Sequence, residues 1–168
     1  VSYQRRNHFI RKLTLDLKGN TLVLYNYVEK HGKPLYENIK QYSDDKERKI
    51  FFVSGNTPAN DREAIRMIVE KQKNAIIVAS LGTFSTGINI RNLHNIVFAS
   101  PSKSQIRVLQ SIGRGLRKTD DGKDTTLYDI VDDISWKSRK NYGILHADER
   151  LRIYGREKFI HKTYKVQL

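Results

Sequence analysis

Cysteine is absent from all 168 residues, so the chain forms no disulfide and offers no thiolate to a zinc ion. That suits a reducing compartment, and the cytoplasm is the expected location. No apolar run approaches the length of a bilayer span, and no charged-then-apolar leader opens the sequence, so no membrane partner is expected. The five histidines (His8, His31, His94, His146, His161) lack ligand-like spacing, and no metal site on protein ligands is expected. A phosphate-cradling loop of the form GxxxxGK[ST] is also missing. Its nearest match, Gly82 to Gly87, is followed by Ile88-Asn89, which supplies neither the lysine for the phosphates nor the hydroxyl for magnesium. Acidic residues are the scarce charge: 18 Asp and Glu against 31 Lys and Arg leave a net charge of +13. The chain opens on Val1, and the expectation is that it is part of something longer.

Such a surplus of positive charge points to a polyanion. The cations are spread through a folded pattern rather than stacked on one amphipathic face, which favours nucleic acid over an anionic membrane. Hydrophobic residues at 38% are enough for a globular core. Short apolar runs at 21–25, 49–53, 75–79 and 95–99, with a fifth at 125–131, read as strands buried on both faces. Helical patterns lie between them: 8–18, closed by Gly19; a stretch reaching about Ser43, its start delayed by Gly32 and Pro34; and one from a capping box of Asn60 and Glu63 to about Lys73. The segment Ser80 to Ile90 reads as a loop. Alternation of this kind specifies an α/β fold, a parallel sheet with helices on both faces. Ligands of such sheets gather at the carboxyl ends of the strands, where the loops from Ser54, Ser80 and Ser100 begin.

The chemistry concentrates in Gln110-Ser111-Ile112-Gly113-Arg114-Gly115-Leu116-Arg117. A helix places Gln110, Arg114 and Arg117 on one stripe and Val108, Leu109, Ile112 and Leu116 on the opposite one. Two planar, permanently charged guanidiniums with glycines between them suit a polyphosphate. Asp129, Asp132 and Asp133 could imitate a magnesium-binding set, but without a phosphate loop they read as surface or turn carboxylates. A nucleotide-type sheet that lacks the gripping loop but offers two arginines makes sense if they act on a nucleotide held by another lobe. An arginine inserted from outside in this way is worth about 10³–10⁵ in rate.

Gln110-x-x-Gly113-Arg114-x-x-Arg117 resembles motif VI of superfamily 2 helicases, and Ser80 to Asn89 resembles their motif V. Thr21 to Asn26 is similar to motif IV, and Gly55 to Arg62 to the segment called IVa. The resemblance covers roughly residues 8–135 and implies a second RecA-like lobe, a RecA-like helicase C-terminal domain over 1–136. It implies that Arg117 is the arginine finger, with Arg114 beside it and Gln110 positioning phosphate or water. Gly87 and Asn89 would approach the ATP, whose Mg2+ and phosphates an N-terminal RecA-like lobe would hold. Asn26, Gly55, Ser80, Gly82 and Thr83 would meet nucleic acid phosphates. Leu81 stands where many relatives carry a phosphate-bonding threonine, and Asn89 replaces a common aspartate. The stretch Phe84 to Arg117 is similar to bacteriophage members of the family, which implies DNA, branched or single-stranded, as partner, in recombination and repair. Two rivals stay open at this level: a nonenzymatic nucleic-acid-binding domain, and the motor lobe of an RNA helicase or a restriction enzyme.

Residues 137–168 lie beyond that sheet. Ile144, Ala147, Leu151 and Tyr154 share a helical stripe, Gly143 and Gly155 are expected to break the helix, and Arg139, Lys140, Arg150, Arg152, Arg156, Lys158, Lys162 and Lys165 make the segment basic. Either it caps the sheet or it touches DNA.

Overall fold

β1 (Thr21–Tyr25) is buried at every position, and the sheet is built outward from it. The structure, a computed structural model, describes residues 3–85, 90, 92–100, 122, 124–135 and 141–168. β1 is flanked by β3 (Ile76–Ser80) and β4 (Asn95–Phe98). β2 (Ile50–Val53) and β5 (Thr126–Asp129) lie outside them, giving the order β2-β3-β1-β4-β5. All four pairings are parallel.

Both faces are covered, which is why the central strands read as continuous apolar runs. Leu22, Leu24, Ile77, Ala79, Ile96 and Phe98 meet Val69 of α3 (Ala59–Glu70) and Tyr154 of α5 (Tyr142–Arg156). On the other face Val23, Tyr25, Ile76, Val78 and Val97 meet Ile10 of α1 (Gln4–Asp16), with Leu35 and Ile39 of α2 (Lys33–Gln41).

Five expectations are corrected. α1 begins at Gln4 rather than near residue 8, because buried Arg6 and Ile10 hold the extra turn. Gly19 follows it with φ +91, and His94's ring occupies the space a Cβ would need. The chain after β1 coils earlier than Gly32 and Pro34 suggested, through a π turn (Val28–Gly32) that runs straight into α2. Gly32 permits that turn, since a Cβ there would meet the Tyr25 ring at 2.5 Å. The capping box is not formed. α3 follows Pro58, whose fixed φ suits a helix start, so Asn60 sits inside the first turn and Glu63 pairs with Arg66 instead. The loop after β3 opens with a short helix, α4 (Leu81–Ser85), because Leu81 turns into the core. Gly143 and Gly155 do not break α5. Each glycine costs about 1 kcal/mol in a helix, whereas burying Tyr154 and Leu151 contributes roughly 1.5–3 kcal/mol per side chain.

Candidate functional site

In-register pairing brings the carboxyl ends of the strands to one edge: Tyr25 is level with Ser80, Val53 with Ala79, and Phe98 with both Leu24 and Asp129. Gly55 therefore follows β2, Ser80 ends β3 with Leu81 to Thr83 after it, and Asn26 follows β1. The three segments predicted to meet nucleic acid leave three neighbouring strands, although β1 comes first in the chain.

Two glycines mark this edge. A Cβ on Gly55 or Gly82 would meet no heavy atom of the chain within 4 Å, and neither has a positive φ. Nothing in the fold demands glycine at these exposed positions, in contrast to Gly19 and Gly32. The lack of a side chain at these positions lets another surface come close to the backbone. Beside Gly82, the Ser80 and Thr83 hydroxyls bond each other at 2.5 Å, and the Thr83 amide donates to Ser80 Oγ at 3.3 Å. Thr83 is buried and Ser80 half-exposed, so of the two hydroxyls Ser80 is the one nearer solvent. Leu81 is buried and packs into the core.

The exit from β1 leads away from the exit of β4, so the topological switch point lies between these two adjacent strands. There Asn26 Nδ2 donates to the Ser100 carbonyl at 3.3 Å, and His31 Nδ1 bonds Ser100 Oγ at 2.8 Å, with roles that depend on the tautomer. His31 is fully buried, and its Nε2 has no partner among the described residues. Burial first, and the Arg6 charge second, push its imidazole down to about 4, which keeps the ring neutral. Arg6 of α1 is itself 2% exposed and bonds Asp132 through Nε at 2.7 and 2.8 Å.

At the far end of the edge Asp129 accepts from Arg150 Nε at 2.7 Å, from Arg150 Nη2 at 2.9 Å and from the Tyr154 hydroxyl at 2.9 Å. Burial and that carboxylate push the Tyr154 hydroxyl well above the usual range. Asp129, 16% exposed, is thus not a surface carboxylate but neutralises buried Arg150, whereas Asp132 lies at the surface, 40% exposed, and pairs with buried Arg6 from there. Asp133 alone is a turn carboxylate, accepting from the Ser135 amide at 3.1 Å. Arg150 thus drops out of the basic residues that the sequence left open as DNA contacts. Arg48 is engaged likewise, donating to the carbonyls of Asn74, Leu15 and Leu17. Among the described residues no group of three or more His, Asp or Glu could hold a metal ion, and no helix is long and apolar enough to cross a membrane.

Of the sequence-predicted site, Asn26, Gly55, Ser80, Gly82 and Thr83 come together on this edge. Gly87, Asn89, Gln110, Arg114 and Arg117 lie outside the described residues, as do Arg139 and Lys140. Sequence reasoning missed Arg6, His31, Ser100 and Asp132. The position of Ser100 at a strand end was a signal, but nothing singled out its partners.

Residues 5–119 match the family described as the helicase conserved C-terminal domain. The chain belongs to that family. This helicase C-terminal domain is 36% identical to the ATP-dependent DNA helicase uvsW of Enterobacteria phage T4, over 98% of the chain and 34% of that protein. The crystal structure of T4 UvsW superposes with a TM-score of 0.74 at 36% identity, covering 92% of the chain and 33% of UvsW. The E. coli DEAD-box protein SrmB, solved bound to a regulator of ribonuclease activity, shares the fold at a TM-score of 0.57 and 15% identity, over 75% of the chain and 69% of SrmB. The chain spans about a third of the length of the curated relative it matches. Its likeness to uvsW takes in α5, whereas the family match ends before Asp129. The parallel five-stranded sheet with helices on both faces is the RecA-like fold of the helicase C-terminal lobe.

Proposed function

We propose that this chain is the second motor lobe of an ATP-dependent DNA helicase or translocase, working on branched DNA in recombination and repair in the cytoplasm of an infected host. ATP and Mg2+ are held by an N-terminal RecA-like lobe. Arg117 and Arg114 reach the γ-phosphate from this lobe, Gln110 orients phosphate or water, and Gly87 and Asn89 approach the nucleotide. Asn26, Gly55, Ser80 and Gly82 receive the DNA backbone, with Thr83 orienting Ser80. Closing of the two lobes on ATP and their release against bound DNA convert hydrolysis into movement.

One observation carries this reading: the loops after β2, β3 and β1 form a contiguous edge with two unconstrained exposed glycines. The likeness to uvsW, a DNA helicase, supports DNA and ATP. The choice of branched DNA rests on that likeness alone.

The experiment is Arg117→Ala, with Arg114→Ala beside it, in a protein carrying both lobes. Each should lower kcat at least about 10³-fold while DNA binding without nucleotide stays unchanged. Loss of DNA binding with turnover spared would make these backbone-binding arginines and refute the role. The chain by itself should turn over no ATP above background, with or without DNA, and steady hydrolysis by it would refute the need for a second lobe. A forked duplex preferred over a linear one of equal length would support the branched substrate, and equal rates would remove it.

A further inference from the structure

We infer that Tyr142, at the head of α5, is a base-stacking residue that selects single-stranded DNA. This rests on the functional reading above and narrows its partner. The ring is 80% exposed, yet the backbone that carries it is fixed. Asn141 Nδ2 donates to the Asp132 carbonyl at 2.9 Å, and the Leu145 amide donates to the Asn141 carbonyl at 3.2 Å. Gly143 closes the seat: a Cβ there would lie 3.2 Å from the same Asp132 oxygen and 3.1 Å from Asn141 Nδ2. The His146 ring, half-buried one turn on, lies 6.4 Å from the Tyr142 ring at 41° and steadies it from one side. A large flat surface is thus presented to solvent on a rigid mount.

Position and charge say what covers it. Asp132 follows β5 by three residues, so Tyr142 stands at the same carboxyl edge of the sheet as Asn26, Gly55, Ser80 and Gly82. β5 lies two strands beyond β1, about 10 Å across at the usual strand spacing. DNA received at the exits of β2, β3 and β1 and continued along that edge therefore comes to Tyr142. Leu145, Arg152 and Arg156 follow at i+3, i+10 and i+14 on the same side of the helix, which puts the two guanidiniums about 15 and 21 Å along its axis. Glu149 lies on this stripe too and is outnumbered by the two arginines. An exposed aromatic beside exposed cations is the pairing that binds single strands, the cations taking the backbone and the ring a base face. An apolar protein partner would instead desolvate both arginines at a cost. In a duplex each base face is already covered by its neighbours, so the ring distinguishes the two forms of DNA.

The test measures binding of the whole chain to a thymidine oligonucleotide of about 12 residues, to a duplex of equal length, and to an oligonucleotide of equal length without bases. Tyr142→Ala should weaken binding to the single strand by about 5- to 150-fold, the range for loss of one stacked base. Its affinity for the duplex and for the abasic strand should change less than about twofold. Tyr142→Phe, which keeps the ring, should stay within about twofold of the wild type on all three. Tyr142→Leu, apolar but without a ring, should bind the single strand as weakly as Tyr142→Ala, and it replaces that variant if alanine does not fold. Single-strand affinity kept in Tyr142→Ala or Tyr142→Leu overturns the inference, as does an equal loss on single strand and duplex. Kept affinity joined to slower ATP turnover in a protein carrying both lobes would also overturn it, by assigning the ring to the other lobe. A wild-type chain that binds no DNA overturns the functional reading instead.

Discussion

Asp129→Ala is the most severe single change the structure identifies away from the proposed site. Asp129 accepts three hydrogen bonds, two from Arg150 and one from Tyr154. Arg150 is fully buried, with Nη1 already unpartnered among the described residues, and Asp129 is 16% exposed. Removing the carboxylate strands a positive charge in the interior, which costs about 3–5 kcal/mol because neither water nor another acceptor replaces it. For a chain of this length each kcal/mol moves Tm by about 2–4 °C, so a fall of roughly 6–20 °C is expected. Thermal unfolding followed by far-UV circular dichroism measures it, and urea unfolding gives the free-energy loss. The control is Asp129→Ala with Arg150→Met, which removes the charge together with its partner. If the stranded charge is the cause, that double variant should recover more than about half of the loss, since replacing both members of a buried pair is often near neutral. A single variant within about 1 kcal/mol of the wild type would refute the reasoning, and so would a double variant no more stable than the single.

Acid should destabilise the fold through His31. Its folded pKa of about 4 lies below the ordinary histidine value of 6.5, so the unfolded chain takes up a proton that the fold refuses. Stability is then full above pH 6.5 and falls as pH drops from 6.5 towards 4, by up to about 3 kcal/mol. The urea midpoint should fall between pH 7 and 5 more in the wild type than in His31→Asn, and equal slopes would refute the assignment. Gly55→Val and Gly82→Val should change stability by only about 0.5 kcal/mol and weaken DNA binding about tenfold or more; unchanged affinity would take the edge out of the interface. Replacing exposed Arg152, Arg156, Lys158, Lys162 and Lys165 with Gln should flatten the slope of log affinity against log salt by about two to three units if three of them meet phosphates, and an unchanged slope would leave the segment a cap.

The sheet was legible because its central strands are buried on both faces. The segments 21–25 and 75–79 read as continuous apolar runs, a pattern that a parallel sheet under two helical layers imposes. Edge strand β2, with Ile50, Phe51 and Phe52 only half-buried, was still legible from its aromatic and β-branched content. The π turn was not, since it widens a helical ring by one residue without changing which residues are apolar. α4 was hidden because a five-residue helix leaves no periodicity to count. At the site, Asn26, Gly55, Ser80 and Gly82 could be placed together because strand ends of a parallel sheet share an edge. Arg6 with Asp132 and His31 with Ser100 could not, because those pairs are 126 and 69 residues apart and depend on how α1 and the π turn dock.

α5 shows why charge content alone misassigns a segment. Its inner stripe places Tyr154 in the core and Arg150 on Asp129, and its outer side presents Arg152 and Arg156 to solvent. The cap and the DNA contact are therefore not exclusive, because different residues of one helix would serve each. Deleting 137–168 cannot separate them: it would uncover the sheet face around Phe98 and Ile96 and leave Asp129 without Arg150. A lost salt dependence in such a truncation would report unfolding as readily as missing phosphate contacts. The side-chain substitutions leave the inner stripe intact, so a flattened slope in that variant can come only from the outer charges.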